Sequence, residues 1–259
     1  RVLPGHIIKE IIENDRIVGG LDAASAQRAK EFYQLFVTGN ILVTNARTAE
    51  MSKLVENAYR DVNIAFANEL SLICEDLNIN VWELIALANH HPRVNILKPG
   101  PGVGGHCIAV DPWFIVHAAP EKARLIKCAR EINNYKPQHV VAKISDLAQR
   151  FKKPKIGCLG LAFKPNIDDL RESPSLLITE QLLAKNMGEL YIVEPHINKL
   201  PLSLNSPNAQ LVSLNDCLEQ SDIVVLLVDH QQFQTIKPNN WSEKIFIDTR
   251  GLWHETSIN

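Results

Sequence analysis

Residues 98–114 read KPGPGVGGHCIAVDPWF, and how they are read decides where a nucleotide-binding fold can lie in this chain. Gly100, Gly102 and Gly105 fit the G-x-G-x-x-G spacing of a dinucleotide loop. That fingerprint works only where a buried strand leads in and a helix leads out, so that backbone amides and the helix dipole meet the phosphates. The preceding ten residues, HHPRVNILKP, hold two prolines and charged side chains where a central strand would have to be. Proline cannot donate to a sheet ladder, so that strand is excluded. What the glycines can still do is let backbone approach a ligand closely and present the side chain that follows them, Cys107.

Outward from this segment the texture changes twice. Upstream, HIIKEIIE (6–13) has helical periodicity, while RIVGGLD (16–22) and NILVTN (40–45) read as short strands around the helix SAQRAKEFYQLF. From Ala49 to about Leu77, Met51, Leu54, Val55, Ala58, Val62, Ala65, Phe66, Leu70 and Ile73 repeat at three- and four-residue steps, as on one face of a long helix. VWELIALAN predicts a second helix. Downstream, Asp111-Pro112 reads as a cap and first-turn pair opening a helical region that continues past Pro137 to about Phe151. After Lys152-Lys153-Pro154, strand-like KIGCLGLAF, ELYIVEPH, DIVVLLVDH and KIFIDT alternate with helix-like SPSLLITEQLLAKN and NDCLEQ. Such alternation implies a parallel, doubly wound sheet. Ligands of such sheets sit beyond the strands' carboxyl ends, here near Phe163-Lys164, Glu194-Pro195, Asp229-His230 and Thr249-Arg250.

The composition is that of an ordinary soluble globular protein: 259 residues, 46% hydrophobic, 22% charged, formal net charge −2. There is no basic field for nucleic acid and no polybasic membrane anchor. No apolar run approaches the roughly 20 residues needed to span a bilayer. The five cysteines, Cys74, Cys107, Cys128, Cys158 and Cys217, show no zinc-like spacing, so no metal site is expected and a reducing cytosol fits them. Four of them, all but Cys107, lie in apolar patterns and read as core. Because Arg1 opens the chain inside what reads as mid-domain, an N-terminally incomplete protein is expected.

Several residues could carry chemistry. Cys107, ahead of a helix N-terminus and beside His106, suits a thiolate that attacks a carbonyl carbon, or else a buried core cysteine. Asp111 suits a general base for water, or a helix cap. Lys53, Asn57 and Arg60 at i, i+4 and i+7 form one polar stripe on the long helix, either solvated or part of a site. Asparagine is a poor helix former, which weighs toward a site. Lys164 and Arg171 lie in a loop between a buried strand and a helix begun by Ser173-Pro174, a place suited to phosphate, while Phe163 suits the face of a flat ring.

The ordered segments RVLPG, AEMSKLVENAYRDVNIAFANEL, HHPRVNILKPGPGVGGHCIAVDPWF and GLAFKPNIDDLRESP closely resemble the UDP-glucose/GDP-mannose dehydrogenase family across nearly the whole chain. The wording of GPGVGGHCIAVDPWF and HHPRVN is similar to the branch acting on UDP-N-acetyl-D-mannosamine. The resemblance implies an α/β fold in three parts: residues 1–45 as the remnant of an N-terminal NAD-binding Rossmann domain, 46–135 as a central all-helical dimerisation and catalytic region, and 136–259 as a C-terminal Rossmann-like domain that binds the UDP-sugar. It places the NAD glycine loop, and a catalytic glutamate before RVLPG, upstream of Arg1.

The reaction it implies is oxidation of the sugar C6 alcohol to a carboxylate by two NAD⁺ and one water. Cys107 would carry a thiohemiacetal and then a thioester, Lys53 would stabilise oxyanion charge, Asn57 would orient substrate or water, and Asp111 would assist the water step. Substrate contacts implied are Arg1, Val2, Arg60, His91, Arg93, Gly104, Phe163, Lys164 and Arg250, with His91 and Arg93 reaching a neighbouring subunit of a homodimer. Arg171 matches a contact to the NAD pyrophosphate. A cysteine hydrolase would use Cys107 with His106 or His91, yet leaves Lys53-Asn57 and the Lys164 loop without a task. A noncatalytic nucleotide-binding or assembly module, and a 6-dehydrogenase of UDP-glucose or another UDP-N-acetylhexosamine, are the remaining alternatives.

Overall fold

The computed structural model describes residues 7–253, and its contacts divide the chain into two compact units, up to Asn57 and from Ala58 onward. Arg1 and Val2, two of the expected substrate contacts, lie outside the described residues.

In the first unit, helix α1 (Ile7–Glu13) precedes strand β1 (Arg16–Gly20), helix α2 (Ala23–Gln34) and strand β2 (Ile41–Asn45). The two strands pair in parallel, Arg16 against Ile41 through Gly20 against Asn45. The expected β-α-β order is present. Asp22 starts α2 by a reciprocal capping box with Ser25, each side chain bonding the other's amide, which satisfies two of the orphan donors of the first turn. Helix α3 (Ala46–Asp76) then carries the chain into the second unit.

The second unit contains helices α4 (Val81–Ala88), α5 (Asp111–Ala118) and α6 (Arg124–Ala148), then β3 (Lys155–Leu159), α7 (Pro174–Ala184), β4 (Glu189–Val193), β5 (Ala209–Leu211), α8 (Leu214–Gln220), β6 (Ile223–Leu226) and β7 (Ile245–Asp248). All five strands are parallel, in the order β5-β4-β3-β6-β7. This is the doubly wound arrangement, with the switch point between β3 and β6. Three-residue β5, with only one fully buried side chain, has no strand-length apolar run, so it was invisible to the periodicity reading.

The strand interiors are buried on both faces, and alternate residues feed two separate cores. Ile156, Cys158, Ile192, Ile223 and Val225 pack with Val140, Ile144 and Ala148 of α6 and Ile178 and Leu182 of α7. Leu159, Tyr191, Val193, Val224 and Leu226 pack with Cys217 and Leu218 of α8 and with Phe233. One helix therefore does two jobs, because α6 covers the sheet with its last turns and meets α3 through Arg130, Asn133, Lys136 and His139. The 135/136 junction falls inside it. Proline 137 is accommodated within its length.

Three expectations are corrected. The strand read over KIGCLGLAF stops at Leu159, because Gly160 turns the chain with φ +95° and a side chain there would lie 2.4 Å from Val228 Cβ. Cys128 is exposed on α6 rather than in a core, since helical periodicity turns it away from the sheet. On α3, the face read as apolar leaves Met51, Val55, Phe66 and Ile73 exposed, while Asn57, Asp61 and Asn68 are buried with Ala58 and Ala65. Asp61 and Asn68 are tolerated on the buried side because they bond to Arg130 and Asn133 of α6 and to the Gly100 amide.

Candidate active site

Of the expected catalytic residues, Lys53 and Asn57 belong to the first unit. Lys53 is exposed and Asn57 is 2% exposed, so the stripe that sequence spacing drew through Lys53, Asn57 and Arg60 is not uniformly solvated. Arg60 is exposed in the second unit.

Within the second unit, the glycine segment lies against the carboxyl ends of the sheet. A Cβ on Gly100 would stand 2.5 Å from Arg250 Nη1, one on Gly104 would stand 2.4 Å from the Glu172 carbonyl oxygen and 3.0 Å from Phe163 Cβ, and one on Gly105 would stand 3.1 Å from the Phe163 ring. Gly104 is therefore required by its approach to backbone and Gly105 by its φ of +85°, whereas Gly100 meets only the far end of the Arg250 side chain. Pro101, Gly102, Phe163, Lys164, Asp229 and Arg250 line one small cavity here. Gly104, Phe163, Lys164 and Arg250, four of the expected substrate contacts, are thus in one neighbourhood. Arg250 is aimed by Asp229, whose Oδ1 accepts from its Nε at 2.8 Å.

Cys107 is half-buried at the start of the turn before α5. Its carbonyl accepts from the amides of Val110 (3.1 Å) and Asp111 (2.8 Å). Asp111 is the first helical residue, and the cap position belongs to Val110, which has no side-chain acceptor. The capping role read for Asp111 is therefore corrected: its carboxylate stands in the first turn, favoured there by the helix dipole. His91 and Arg93 are exposed in the turn after α4, where the His91 Nδ1 accepts from the Arg93 amide at 3.3 Å. Arg171 is exposed and gripped by Asp169, whose carboxyl the guanidinium's side-chain hydrogen bonds pull down to about 2.

Sequence reasoning missed what holds the glycine segment. The Gly100 amide donates to Asn68 Oδ1 at 2.8 Å, and Asn68 Nδ2 donates to Asn133 Oδ1 at 2.9 Å. Asn133 Nδ2 in turn donates to Asp61 Oδ1 at 2.8 Å, and the same oxygen takes Arg130 Nη1 at 2.6 Å. All of these side chains are buried. Burial pushes the Asp61 carboxyl up against the pull of Arg130. Two asparagines and an arginine at buried helical positions, where neither residue type favours burial, were the signal available.

A second missed group surrounds Glu194, at the carboxyl end of β4. Glu194 Oε2 accepts from the amides of Leu161 (2.7 Å) and Ala162 (3.0 Å) and faces His230 Nε2 at 3.1 Å. Burial pushes this carboxyl up, but the bonds from His230 and the two amides outweigh it and hold it below the ordinary value. Glu194, His196 and His230 offer ligand atoms within 4.8 Å of one another. Both ring nitrogens of His230 are already engaged, however, because Nδ1 accepts from the Asn166 amide at 2.9 Å. A metal here would have to break those bonds.

A doubly wound parallel sheet with a phenylalanine, a lysine and an arginine beyond its strands' carboxyl ends, met there by a glycine segment ending in a half-buried cysteine, defines a Rossmann-like protein. Residues 47–135 match the central domain of the UDP-glucose/GDP-mannose dehydrogenase family, and residues 157–255 match that family's UDP binding domain. The chain belongs to this family.

Among its relatives, an NDP-N-acetyl-D-galactosaminuronic acid dehydrogenase of Ralstonia nicotianae is 57% identical over 258 residues, covering 100% of this chain and 60% of the relative. The UDP-N-acetyl-D-mannosamine dehydrogenase of Escherichia coli is 54% identical over 261 residues, covering 98% and 62%. A solved UDP-N-acetyl-mannosamine dehydrogenase from S. aureus superposes with a TM-score of 0.82 at 39% identity, over 98% of this chain and 63% of that one. The chain thus spans about 60% of the length of the curated relatives it matches. No helix among the described residues is long and apolar enough to cross a membrane.

Proposed function

We propose that this chain forms the central and UDP-sugar-binding parts of an NAD-dependent 6-dehydrogenase of UDP-N-acetyl-D-mannosamine, acting in bacterial surface-polysaccharide synthesis. The observation that carries the proposal is the seating of the glycine segment against Phe163, Lys164 and Arg250 at the sheet's switch point. Phe163 offers a ring face to uracil, Lys164 and Arg250 offer cations to the diphosphate, and Gly104, packed against Glu172, Pro174 and Phe163, brings the segment's backbone to the substrate on the way to Cys107.

In this proposal, the C6 alcohol loses a hydride from carbon and a proton from oxygen to give an aldehyde. Cys107 Sγ adds to that carbon, forming a C–S bond and a thiohemiacetal. A second loss of hydride and proton leaves a thioester, and water, assisted by Asp111, breaks the C–S bond to give carboxylate and free thiol. Lys53 supports the oxyanion in these steps and Asn57 orients substrate or water.

NAD⁺, when bound, accepts the hydride of each oxidation. Among the described residues Arg171 fits such a dinucleotide as one contact, since it is exposed and Asp169 engages its Nε and Nη2, leaving Nη1 toward an incoming phosphate. Arg60, His91 and Arg93 are proposed substrate contacts, the latter two across a homodimer. The exposed Met51, Val55, Tyr59, Phe66 and Ile73 on α3 support pairing of two copies along this helix. Five unpaired thiols support a cytoplasmic setting.

The relatives' names divide between UDP-N-acetyl-D-mannosamine and an NDP-N-acetyl-D-galactosaminuronic acid, so substrate choice is the part to test first. NADH formation by the full-length protein is measured with UDP-N-acetylmannosamine, UDP-N-acetylglucosamine, UDP-N-acetylgalactosamine and UDP-glucose. Two NADH per UDP-N-acetylmannosamine are expected, with Cys107→Ala unable to complete both oxidations. No NADH from any of these sugars, or an unimpaired Cys107→Ala, refutes the proposal.

A further inference from the structure

The loop after β3 carries Phe163 and Lys164, yet neither side chain fixes where the loop goes. Its backbone is held at both ends by two buried residues from other strands' ends. At the near end, the Leu161 and Ala162 amides converge on Glu194 Oε2. At the far end, the Asn166 amide donates to His230 Nδ1, and Asn166 Oδ1 accepts from the Gln231 amide at 3.0 Å. The two holds are joined by the 3.1 Å contact between His230 Nε2 and the same Glu194 oxygen.

We propose that Glu194 and His230 are positioning residues for nucleotide binding, setting the Phe163–Lys164 segment against the glycine segment by gripping the loop backbone on either side of it. The proposal rests on the nucleotide reading of this site given above.

The chemistry supports a dedicated clamp. Because Nδ1 of His230 accepts an amide proton, the ring proton sits on Nε2 and is donated to Glu194, so one neutral tautomer satisfies both contacts. Glu194 is 4% and His230 1% exposed, and Phe233 packs edge-on to the imidazole at 5.5 Å, so the ring cannot turn away without leaving a void. Asn166 adopts φ +61°, a left-handed conformation unusual for a residue with a side chain, and the two bonds to the β6 loop hold it there. Lys164 and Pro165 lie between these holds, and Phe163 is fixed further by donating its amide to the Asp169 carbonyl at 3.2 Å. A shift of this loop would carry the ring of Phe163 off Gly105.

The two nitrogens of His230 can be tested separately. Asparagine in its place puts an acceptor near the Nδ1 position and loses the bond to Glu194, whereas glutamine reaches the Nε2 position and abandons the Asn166 amide. UDP affinity of the 259-residue chain and its variants is measured by titration calorimetry, with thermal unfolding recorded alongside. Lys164→Ala is expected to weaken UDP about tenfold, the effect of losing a hydrogen bond to a charged group. His230→Asn should stay within about threefold of wild type, and His230→Gln should weaken UDP about tenfold. The double variant Lys164→Ala/His230→Gln should lose clearly less than the product of the two single losses, because the lysine's share of the His230 effect is already gone and only that of Phe163 is left.

Wild-type affinity in His230→Gln, or losses that multiply in the double variant, overturns the positioning role even where both His230 variants melt earlier. If His230→Gln does not accumulate as folded protein, Glu194→Gln replaces it. That change keeps an acceptor oxygen for the two amides but weakens its bonds, and unchanged UDP affinity there overturns the role equally. Failure of the wild-type chain itself to bind UDP refutes the nucleotide reading, and the positioning role with it.

Discussion

Replacing Arg130 by methionine removes the cation that compensates Asp61 while preserving most of the side chain's bulk. Arg130 is 2% and Asp61 0% exposed, and the Nη1–Oδ1 distance is 2.6 Å, so the carboxylate left behind has no route to water. Breaking a buried pair from one side costs roughly 3–5 kcal/mol, against about 1 kcal/mol or less for an exposed pair. Asp61 keeps Asn133 as a donor, which places the expected loss toward the lower end, about 3 kcal/mol. Urea unfolding followed by circular dichroism measures it. The loss should depend on pH with a definite sign. Burial already raises the Asp61 carboxyl, and removing Arg130 removes what pulls it down. The folded variant therefore binds more protons than the unfolded chain above the ordinary carboxylate value, so its deficit is smallest in mild acid and grows as pH rises through the folded carboxyl's range. Arg130→Met/Asp61→Leu should recover most of the loss, since no lone charge stays buried. A single variant within about 1 kcal/mol of wild type, or a double variant less stable than the single, refutes the assignment of Arg130 as the compensating charge.

Three further outcomes follow from the geometry. Gly104→Ala puts a methyl 2.4 Å from the Glu172 carbonyl oxygen and 2.6 Å from Pro174 Cδ, so it should cost about 1–3 kcal/mol in unfolding experiments and weaken UDP, while a neutral result would mean the segment has slack. Lys136, buried beside Ser71, has its ammonium pushed by burial down to about 8. Between that value and the ordinary 10.5 the unfolded chain holds more protons, so stability rises with pH across the interval by up to about 3 kcal/mol, and Lys136→Met should flatten that rise in urea titrations at stepped pH. In the native chain a thiol reagent should modify Cys107 and Cys128 quickly, and Cys74, Cys158 and Cys217 only on unfolding; burial also pushes the Cys158 thiol up to about 12, and fast labelling of Cys158 would contradict its packing.

Sequence alone determined the order of the main elements, short β5 excepted, because that order follows from local periodicity and punctuation. Alternating buried runs after Pro154 specified a parallel sheet, Ser173-Pro174 marked the start of α7, and the prolines in HHPRVNILKP denied a strand before the glycines. It also put Lys164 and Arg250 at strand ends, which the doubly wound order turns into neighbours of the switch point. Tertiary structure alone decided which face of α3 is buried, since Asp61 and Asn68 read as surface residues until Arg130, Asn133 and the Gly100 amide offset the cost of burying them. It likewise decided that His230 Nε2 meets Glu194 Oε2 across 36 residues of sequence, and that Gly100 and Gly104 meet Arg250 and Phe163. Hydrophobic period is a property of neighbours along the chain, whereas a satisfied buried polar group is a property of neighbours in space.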